Sequence, residues 1–164
     1  MGVKHLALYR IDRGRTAHTR SRYDRIAPLY DRLETALERR YYARWRLSLL
    51  SQVRGPRVLE IGVGTGKNLA YYPPGLSITA IDFSAHMLER AHQRAGQLQI
   101  PVDLCQMDAQ QLDFPDHTFD TIVATFVFGS VPDPILGLRE AARVTKSGGG
   151  YSSSSMSAPG AFLA

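Results

Sequence analysis

The clearest chemical signal in this sequence is a glycine-rich turn with a carboxylate on either side. Its residues are Gly62, Gly64 and Gly66, preceded by Glu60 and followed by Asp82. Alternating glycines allow a tight turn and a close approach of a ligand to the backbone. Glu60 would repel a diphosphate but suits a cationic ligand, and Asp82 has the spacing of a carboxylate that binds ribose hydroxyls. An adenosine that carries a sulfonium and no phosphate fits all of these features.

Two other nucleotide-binding motifs compete for this turn. A P-loop needs glycine, four further residues and then Gly-Lys-Ser/Thr, but Ile61 occupies the place of the first glycine and Asn68 follows Lys67. A dinucleotide fingerprint needs glycines at positions one, three and six, and the sixth residue from Gly62 is Lys67. The P-loop is therefore excluded, whereas an NAD-type oxidoreductase stays an alternative that the glycine spacing disfavours.

The segments around the turn alternate between strand and helix patterns. The predicted strands cover residues 57–61, 76–81, 102–107 and 119–125. A short helix is expected to follow the glycines and end near Tyr72, a second to run from a Ser84 cap to Gly96, and a third to cover 134–144. Such alternation produces βαβ units, so the sequence predicts a doubly wound parallel α/β sheet covered by helices.

Charge is distributed unevenly along the chain. Residues 1–57 contain fourteen Lys/Arg and five Asp/Glu, whereas the remainder contains six and ten. Within the basic part, apolar residues recur every fourth position from 23 to 53, which predicts a helix with Trp45 and Leu49 on its apolar face and Arg46 mostly elsewhere. This excess of positive charge has three interpretations. Residues 20–57 contact an anionic membrane, they form a solvated helical surface, or the start of the chain is a transit peptide. No motif that reads nucleic acid is present, so we expect no such partner.

Composition narrows the class of protein. The chain is 44% hydrophobic and 21% charged, as is usual for a globular domain. Cys105 is the only cysteine, which excludes an internal disulfide and a cysteine-rich metal site. No apolar run has the length of a membrane-spanning helix, and the first residues lack a secretory signal. We therefore expect no metal and a cytoplasmic protein, with peripheral membrane contact as a variant of that location.

Five ordered motifs resemble those of class I S-adenosylmethionine-dependent methyltransferases. They are VLEIGVGTG, AIDFSAHML, QMDAQQLDFPDHTFD, FVFGSVPDP and REAARVTKSGG, all within residues 22–149. The segment is similar to the type 11 branch, which includes phosphatidylethanolamine and quinone-precursor methyltransferases, and in that branch the part resembling RYDRIAPLYD helps to cover the active site. The resemblance implies a Rossmann-like fold, S-adenosylmethionine as cofactor and a small-molecule, phospholipid or quinone-type acceptor.

The resemblance also implies which residues hold the cofactor. It assigns the methionine half to Glu60, Gly62, Gly64 and Gly66, the ribose to Asp82, the adenosine surroundings to Phe83 and Met87, the adenine to Asp108 and Ala109, and the methyl-transfer channel to Thr125 and Phe126. Two of the carboxylates have structural alternatives, since Asp82 could begin a helix and Asp108 could form an Asx-turn. No catalytic base is predicted, because the sulfonium methyl is already activated and its in-line displacement needs mainly proximity, orientation and a dry site.

The predicted organisation has four parts. Residues 1–21 are expected to be disordered or to precede the true start, 22–55 to form a helical cap, 56–149 to bind the cofactor, and 150–164 to be an atypical truncated tail. Family members usually continue into an apolar fifth strand and two further strands, whereas this tail contains four consecutive serines, which are poor strand material. We therefore expect a doubtful fifth strand and missing sixth and seventh strands.

The tail also leads to two hypotheses. Its SAPGAFLA ending resembles the family segment that follows the fifth strand, and a reading-frame error across residues 150–155 would account for both observations. An incomplete sheet also makes a cofactor-binding but inactive module the alternative to an enzyme.

Overall fold

The computed structural model describes residues 42–147 without a gap, the backbone of 161–163, and six residues nearer the start, at 14, 17–19, 21 and 22. The elements are α1 (Ala43–Leu50), β1 (Arg57–Ile61), a 3-10 turn (Leu69–Tyr71), β2 (Ser77–Asp82), α2 (Ala85–Leu98), β3 (Asp103–Gln106), β4 (Thr121–Thr125), α3 (Pro134–Val144) and β5 (Ala161–Leu163).

The strands form one sheet in the order β3-β2-β1-β4-β5. The first four of these neighbours run parallel, with Glu60 of β1 in register with Ala80 of β2 and Val123 of β4. The predicted doubly wound parallel α/β sheet is therefore confirmed. Because β1, β2 and β4 point the same way, their carboxyl ends meet at one edge, where such sheets bind ligands.

Burial explains why these segments become central strands. Four of the five residues of β1 are buried, as in a parallel strand that helices cover on both faces. Leu59, Ile61 and Ile122 are at most 1% exposed and lie in the main core. Helix α3 has the predicted bounds, since Asp133 caps it by accepting from the Leu136 N–H at 3.0 Å and Pro134 occupies the first turn.

Helix α2 begins as predicted but ends later. Ser84 caps it by accepting from the Met87 N–H at 3.2 Å. The predicted end at Gly96 is wrong, because the helix continues to Leu98 and Gln99 adopts the left-handed conformation, with φ +56°. Gly96 is exposed, and an exposed glycine inside a helix costs only about 1 kcal/mol relative to alanine. Gln99 then closes the helix through its own N–H, which bonds to Ala95 and Gly96 carbonyls.

Other predicted boundaries also need correction. The glycine turn is followed by a single 3-10 turn and not by an α-helix. Strand β2 lies one residue later than predicted, and β3 and β4 are shorter than 102–107 and 119–125. Phe119 instead pairs with Thr145 in an isolated parallel bridge.

The sheet position beside β4, where a parallel fifth strand was expected to be doubtful, is occupied by an antiparallel strand. Strand β5 comes from the tail and runs antiparallel to β4, with Phe162 opposite Ala124. It thereby supplies hydrogen-bond partners to the edge of β4 that the parallel sheet leaves open. The serine run at 152–155, where a parallel fifth strand was in doubt, lies outside the described residues.

The predicted cap is only partly described. Residues 23–41 lie outside the described part, and so do most of residues 1–21 and the tail. Within α1, Leu49 is buried and Trp45 half-buried, as the apolar stripe predicted. Arg46 contradicts the prediction, because it is only 6% exposed and its guanidinium bonds to Asn68. No helix among the described residues is both long and apolar enough to span a membrane.

Candidate functional site

A cavity of about 330 Å³, here called the main cavity, opens at the carboxyl ends of β1, β2 and β4. Seven of the predicted cofactor residues line it: Gly62, Gly64, Asp82, Phe83, Met87, Thr125 and Phe126. Further lining comes from residues that the sequence analysis did not select: Tyr42, Arg46, Val63, Thr65, Lys67, Asn68, Val127 and Ser130. The topology thus brings predicted residues from distant parts of the chain to one wall.

A smaller recess of about 30 Å³, here called the side pocket, adjoins the main cavity. The two spaces share five lining residues: Gly62, Asp82, Phe83, Val127 and Ser130. Asp108 and Ala109, predicted to meet an adenine, line the side pocket among mostly apolar neighbours such as Ile81. An elongated nucleoside could therefore place its flat base in the side pocket and its opposite end in the main cavity, with Asp82 between them.

The glycine turn needs its glycines for two different reasons. Gly62, Gly64 and Gly66 have φ values of +71°, +55° and +78°, where other residues are strained. A Cβ on Gly62 would lie 2.3 Å from Cγ2 of Val127, so this glycine permits packing against the segment after β4. A Cβ on Gly64 would meet nothing within 4 Å, because that position opens onto the main cavity.

Gly66 does not have the predicted place in the site. It lines neither space, and a Cβ there would lie 3.1 Å from Cα of Ala91 on α2. Its role in this structure is to let the turn approach helix α2 closely. The prediction that all three glycines face the methionine half therefore needs correction at this position.

Asp82 links the turn to the helix that follows β2. Its Oδ2 accepts from the Gly64 N–H at 2.9 Å and its Oδ1 accepts from the Ser84 N–H at 2.9 Å. The side chain is only 6% exposed and lines both the main cavity and the side pocket. The structural alternative and the predicted ligand position therefore coincide in one carboxylate.

Glu60 lies behind the cavity wall and not on it. It is 1% exposed, its Oε1 accepts from Asn68 Nδ2 at 2.7 Å, and its Oε2 accepts from the Tyr72 hydroxyl at 2.9 Å. Burial raises the pKa of Glu60 to about 7, although the bonds from Tyr72 and Asn68 and the positive charge of Arg46 oppose this rise. Burial and the neighbouring Glu60 also raise the pKa of Tyr72. Glu60, which the resemblance assigns to the methionine half of the cofactor, therefore lies behind the cavity-lining residue Asn68 and not on the cavity surface.

Asn68 connects four parts of the site. Its Nδ2 donates to Glu60 and, at 3.1 Å, to Oγ1 of Thr125, while its Oδ1 accepts from Nη1 of Arg46. Sequence reasoning used Asn68 only to exclude a P-loop, and it placed Arg46 outside the apolar stripe. The signal in the sequence was its place, because Asn68 is a polar residue two positions after the last glycine of the turn.

The hydrogen bonds of Asp108 are local, and they match the Asx-turn that was the structural alternative to an adenine contact. Its Oδ1 accepts from the Gln110 backbone N–H at 2.9 Å, and the Gln110 side chain also donates to it. This is the geometry of an Asx-turn. The turn holds Asp108 and Ala109 against the side pocket, so the local role and the predicted adenine contact are compatible.

An aromatic cluster of Tyr42, Trp45 and Phe126 borders the main cavity. Phe126 directly follows β4 and has a φ of +59°, which is strained for a bulky residue. Its ring centroid lies 5.6 Å from that of Tyr42 and 5.4 Å from that of Trp45. Backbone strain of this kind persists where surrounding contacts over-determine it, often beside a ligand. Helix α1 is thus packed against the channel predicted for methyl transfer.

Neither metal nor histidine chemistry has support in the described part of the chain. No group of three His, Cys, Asp or Glu side chains there could hold a metal ion. His117 has φ +54° and its Nδ1 lies 3.0 Å from the Thr145 carbonyl, so it stabilises the turn before β4. His86 is exposed on α2. The arrangement is suited to binding and orienting a nucleoside cofactor.

The chain is similar to proteins of known fold and named activity. Residues 59–152, more than half of the chain, match the methyltransferase domain family. A phosphatidylethanolamine N-methyltransferase of Cereibacter sphaeroides is 51% identical over 98 residues, which are 58% of this chain and 48% of that protein. A demethylmenaquinone methyltransferase of Renibacterium salmoninarum is 35% identical over 131 residues, or 77% and 54% of the two chains. The chain thus spans about half the length of these curated relatives.

A solved structure of a methyltransferase has a similar fold. The crystal structure of an S-adenosylmethionine-dependent methyltransferase from Thermotoga maritima matches with a TM-score of 0.64 and 27% identity, over 79% of this chain and 58% of that one. The parallel sheet with its cavity at the carboxyl edge defines a Rossmann-like domain of the class I methyltransferase type. Within that class, the chain belongs to the methyltransferase domain family matched by residues 59–152, and the cofactor of that family is S-adenosylmethionine.

The residues present fit this cofactor. Gly64 leaves open space where a Cβ would otherwise stand, Asp82 lies where the two spaces meet, and the side pocket is largely apolar. The turn also lacks the third glycine of a dinucleotide fingerprint, because Lys67 occupies the sixth position from Gly62.

Proposed function

We propose that this protein transfers the methyl group of S-adenosylmethionine to a small-molecule or lipid acceptor. The observation that carries the proposal is the joint position of Gly64 and Asp82. They lie 2.9 Å apart (N to Oδ2) on the wall of the main cavity, and Asp82 also lines the side pocket. The bound cofactor would supply an activated methyl group. The protein's part is then to bind, orient and exclude water, which is sufficient for an in-line displacement.

Each wall of the site has a distinct task in this mechanism. Asp82 binds the ribose hydroxyls, and the Asx-turn of Asp108 holds the base side. Thr125 and Phe126, at the end of β4, border the opening through which an acceptor approaches. Tyr42 packs on Phe126 at 5.6 Å and helps to keep water from that opening. The acceptor must lose a proton after transfer, and we assign no base to that step.

The names of the relatives suggest the acceptor class. One relative is named for phosphatidylethanolamine and another for demethylmenaquinone, so we propose a phospholipid or quinone-type acceptor. The decisive experiment incubates the protein with radiolabelled cofactor and each of these lipids in mixed micelles. Label in the lipid fraction supports the proposal. Cofactor binding without transfer to either lipid would instead support an inactive binding module.

Calorimetry in parallel separates the methyltransferase from an oxidoreductase. We expect S-adenosylhomocysteine, the product of the cofactor, to bind and NAD to show no heat of binding. The glycine spacing of the turn does not match the dinucleotide fingerprint that NAD-binding domains have. Tight NAD binding with no response to S-adenosylhomocysteine would refute the proposal.

We further propose a cytoplasmic protein whose α1 region contacts anionic membranes. Leu47 on α1 is 57% exposed, and Arg44, Arg54 and Arg57 are exposed nearby in sequence. A basic surface with an apolar side chain is suited to an anionic lipid interface. Arg44→Glu should weaken co-sedimentation with phosphatidylglycerol vesicles, whereas Arg139→Glu, on α3, serves as the charge-matched control. Equal binding to neutral phosphatidylcholine vesicles would contradict this proposal.

A further inference from the structure

Arg46 brings a positive charge into the main cavity from a helix that precedes the residues matched by the family model. It lies on α1, before residues 59–152 that match the family, and it is 6% exposed while lining the cavity. Burial of a guanidinium is costly and is tolerated where polar or anionic groups face it. One such group is the Asn68 amide, whose Oδ1 accepts from Nη1 of Arg46.

The orientation of Asn68 is determined by its hydrogen-bond partners. Its Nδ2 donates to Glu60 Oε1 at 2.7 Å and to Thr125 Oγ1 at 3.1 Å. Arg46 can only donate and therefore requires the amide oxygen on its side, whereas an ionised Glu60 can only accept and requires the amide nitrogen. The Thr125 hydroxyl fits either orientation. Asn68 is 2% exposed and has little space to turn. The Asn68 amide therefore links the buried carboxyl of Glu60 to the guanidinium of Arg46.

The charge pattern of the main cavity indicates what this guanidinium meets. Arg46 and Lys67 line the cavity with Asn68, whereas the carboxylate of Asp82 lies toward the side pocket. A cofactor with its nucleoside at Asp82 directs its amino-acid moiety along the cavity, and the anionic group of that moiety is a carboxylate. Arginine binds carboxylates through a planar fork of donors, so its orientation matters more than its charge alone.

We propose that Asn68 is a positioning residue that orients Arg46 toward the carboxylate of the cofactor's methionine moiety. Helix α1 thereby completes the cofactor site, although it lies outside the matched family region. The inference rests on the proposed function, because it requires that the cavity binds S-adenosylmethionine. It predicts that substitutions of Arg46 and Asn68 have coupled effects on ligand affinity, and that these effects appear only when the ligand has the methionine carboxylate.

The test compares two ligands by calorimetry on the full chain. S-adenosylhomocysteine contains the carboxylate, and 5′-methylthioadenosine lacks the amino-acid moiety but keeps the nucleoside. We expect Arg46→Ala to weaken S-adenosylhomocysteine about 10-fold or more, as for a hydrogen bond to a charged group, and 5′-methylthioadenosine less than about 2-fold. Arg44→Ala, an exposed arginine on the same helix, is the matched control and should change neither affinity.

A double-mutant cycle then tests the positioning role. Asn68→Ala should weaken S-adenosylhomocysteine selectively, and the double variant should lose no more than Arg46→Ala alone, because Asn68 acts through Arg46. Arg46→Lys keeps the charge without the fork, so it should recover only part of the affinity and be insensitive to Asn68→Ala. General structural damage would weaken both ligands together, so the ratio of the two affinities is the informative readout, with thermal unfolding recorded for every variant.

The outcomes separate this inference from the proposed function. Additive losses in the cycle, or equal losses for the two ligands, would overturn the positioning role while leaving the methyltransferase proposal intact. A wild-type protein that binds neither ligand would refute the proposed function itself. Selective, non-additive losses for S-adenosylhomocysteine would support both.

Discussion

The backbone N–H of Gly64 donates a hydrogen bond of 2.9 Å to Oδ2 of Asp82. This bond joins the turn after β1 to the end of β2, two segments that parallel pairing brings side by side. Oδ1 of the same carboxylate accepts from Ser84, which caps α2. One side chain therefore shapes the turn, supports the start of a helix and borders the main cavity.

Replacement of that carboxylate should reduce cofactor affinity. For Asp82→Ala we expect the Kd of S-adenosylhomocysteine, measured by calorimetry, to rise at least fivefold, or about 1 kcal/mol, because the hydrogen bonds to ribose hydroxyls are lost. Asp103→Ala, at an exposed aspartate of β3, is the matched control and should leave the affinity unchanged. Unchanged affinity in the Asp82 variant would contradict the proposal that Asp82 binds the ribose hydroxyls.

Two glycines of the turn should respond differently to the same substitution. Gly62→Ala places a Cβ 2.3 Å from Val127, in addition to strain at φ +71°. We expect a loss of about 3 kcal/mol in the free energy of unfolding, from about 1–2 for the left-handed backbone and about 1–3 for overpacking. In a chain of this size, that corresponds to a fall of about 6–12 °C in Tm.

Gly64→Ala is the matched comparison for this prediction. Its Cβ meets no protein atom within 4 Å, so only the cost of φ +55° applies, about 1–2 kcal/mol. Because the added methyl enters the main cavity, this variant should lose affinity for S-adenosylhomocysteine out of proportion to its stability. Scanning calorimetry with and without ligand measures both effects, and a Gly64 variant less stable than the Gly62 variant would contradict the packing argument.

Protonation of Glu60 should make stability depend on pH. Its pKa is about 7 in the folded protein, above the ordinary value of 4.5. Between these values the folded state holds a proton that the unfolded state has released, so this group makes the folded state less stable as pH rises from 4.5 to 7. The cost then levels off above pH 7, at about 3 kcal/mol.

Glu60→Gln should remove this dependence, because the amide does not titrate. The free energy of unfolding, measured in urea at several pH values, should fall less steeply for the variant than for the wild type between pH 4.5 and 7. Glu89→Gln, at an exposed glutamate of α2, serves as the control and should follow the wild type. Parallel curves for Glu60→Gln and wild type would show that Glu60 does not titrate in this window.

Trp45 should report on ligand binding through Phe126. It is the single tryptophan of the chain, and its ring lies 5.4 Å from that of Phe126, which lines the main cavity. We expect S-adenosylhomocysteine to change the intensity or emission maximum of Trp45 fluorescence. In Phe126→Ala this change should be largely lost, with a destabilisation of about 1 kcal/mol from the missing ring contacts. An unaltered ligand response in Phe126→Ala would show that the aromatic cluster is not coupled to the cavity.

Local patterns predicted much of the domain correctly. The bounds of β1 and α3 were predictable because β-branched and apolar runs, proline at the helix start and Asp133 as cap act over a few residues. The end of α2 was not predictable from Gly96, because an exposed glycine costs little and Gln99 could adopt the left-handed conformation instead. Strand β5 was missed for a different reason, since its pairing with β4 is a long-range contact without a local signal.

The sequence by itself determined the alternation of strands and helices, the glycine turn and the carboxylates around it, because these depend on backbone preferences and on spacing along the chain. Only the tertiary structure decided which side chains face the cavity. The side chain of Glu60 bonds to buried Asn68, and the backbone of Gly66 packs closely against α2, so neither lines the cavity. Arg46, in contrast, reaches the cavity from a separate helix. The direction of a side chain depends on what packs beside it, and that is known only when distant segments meet.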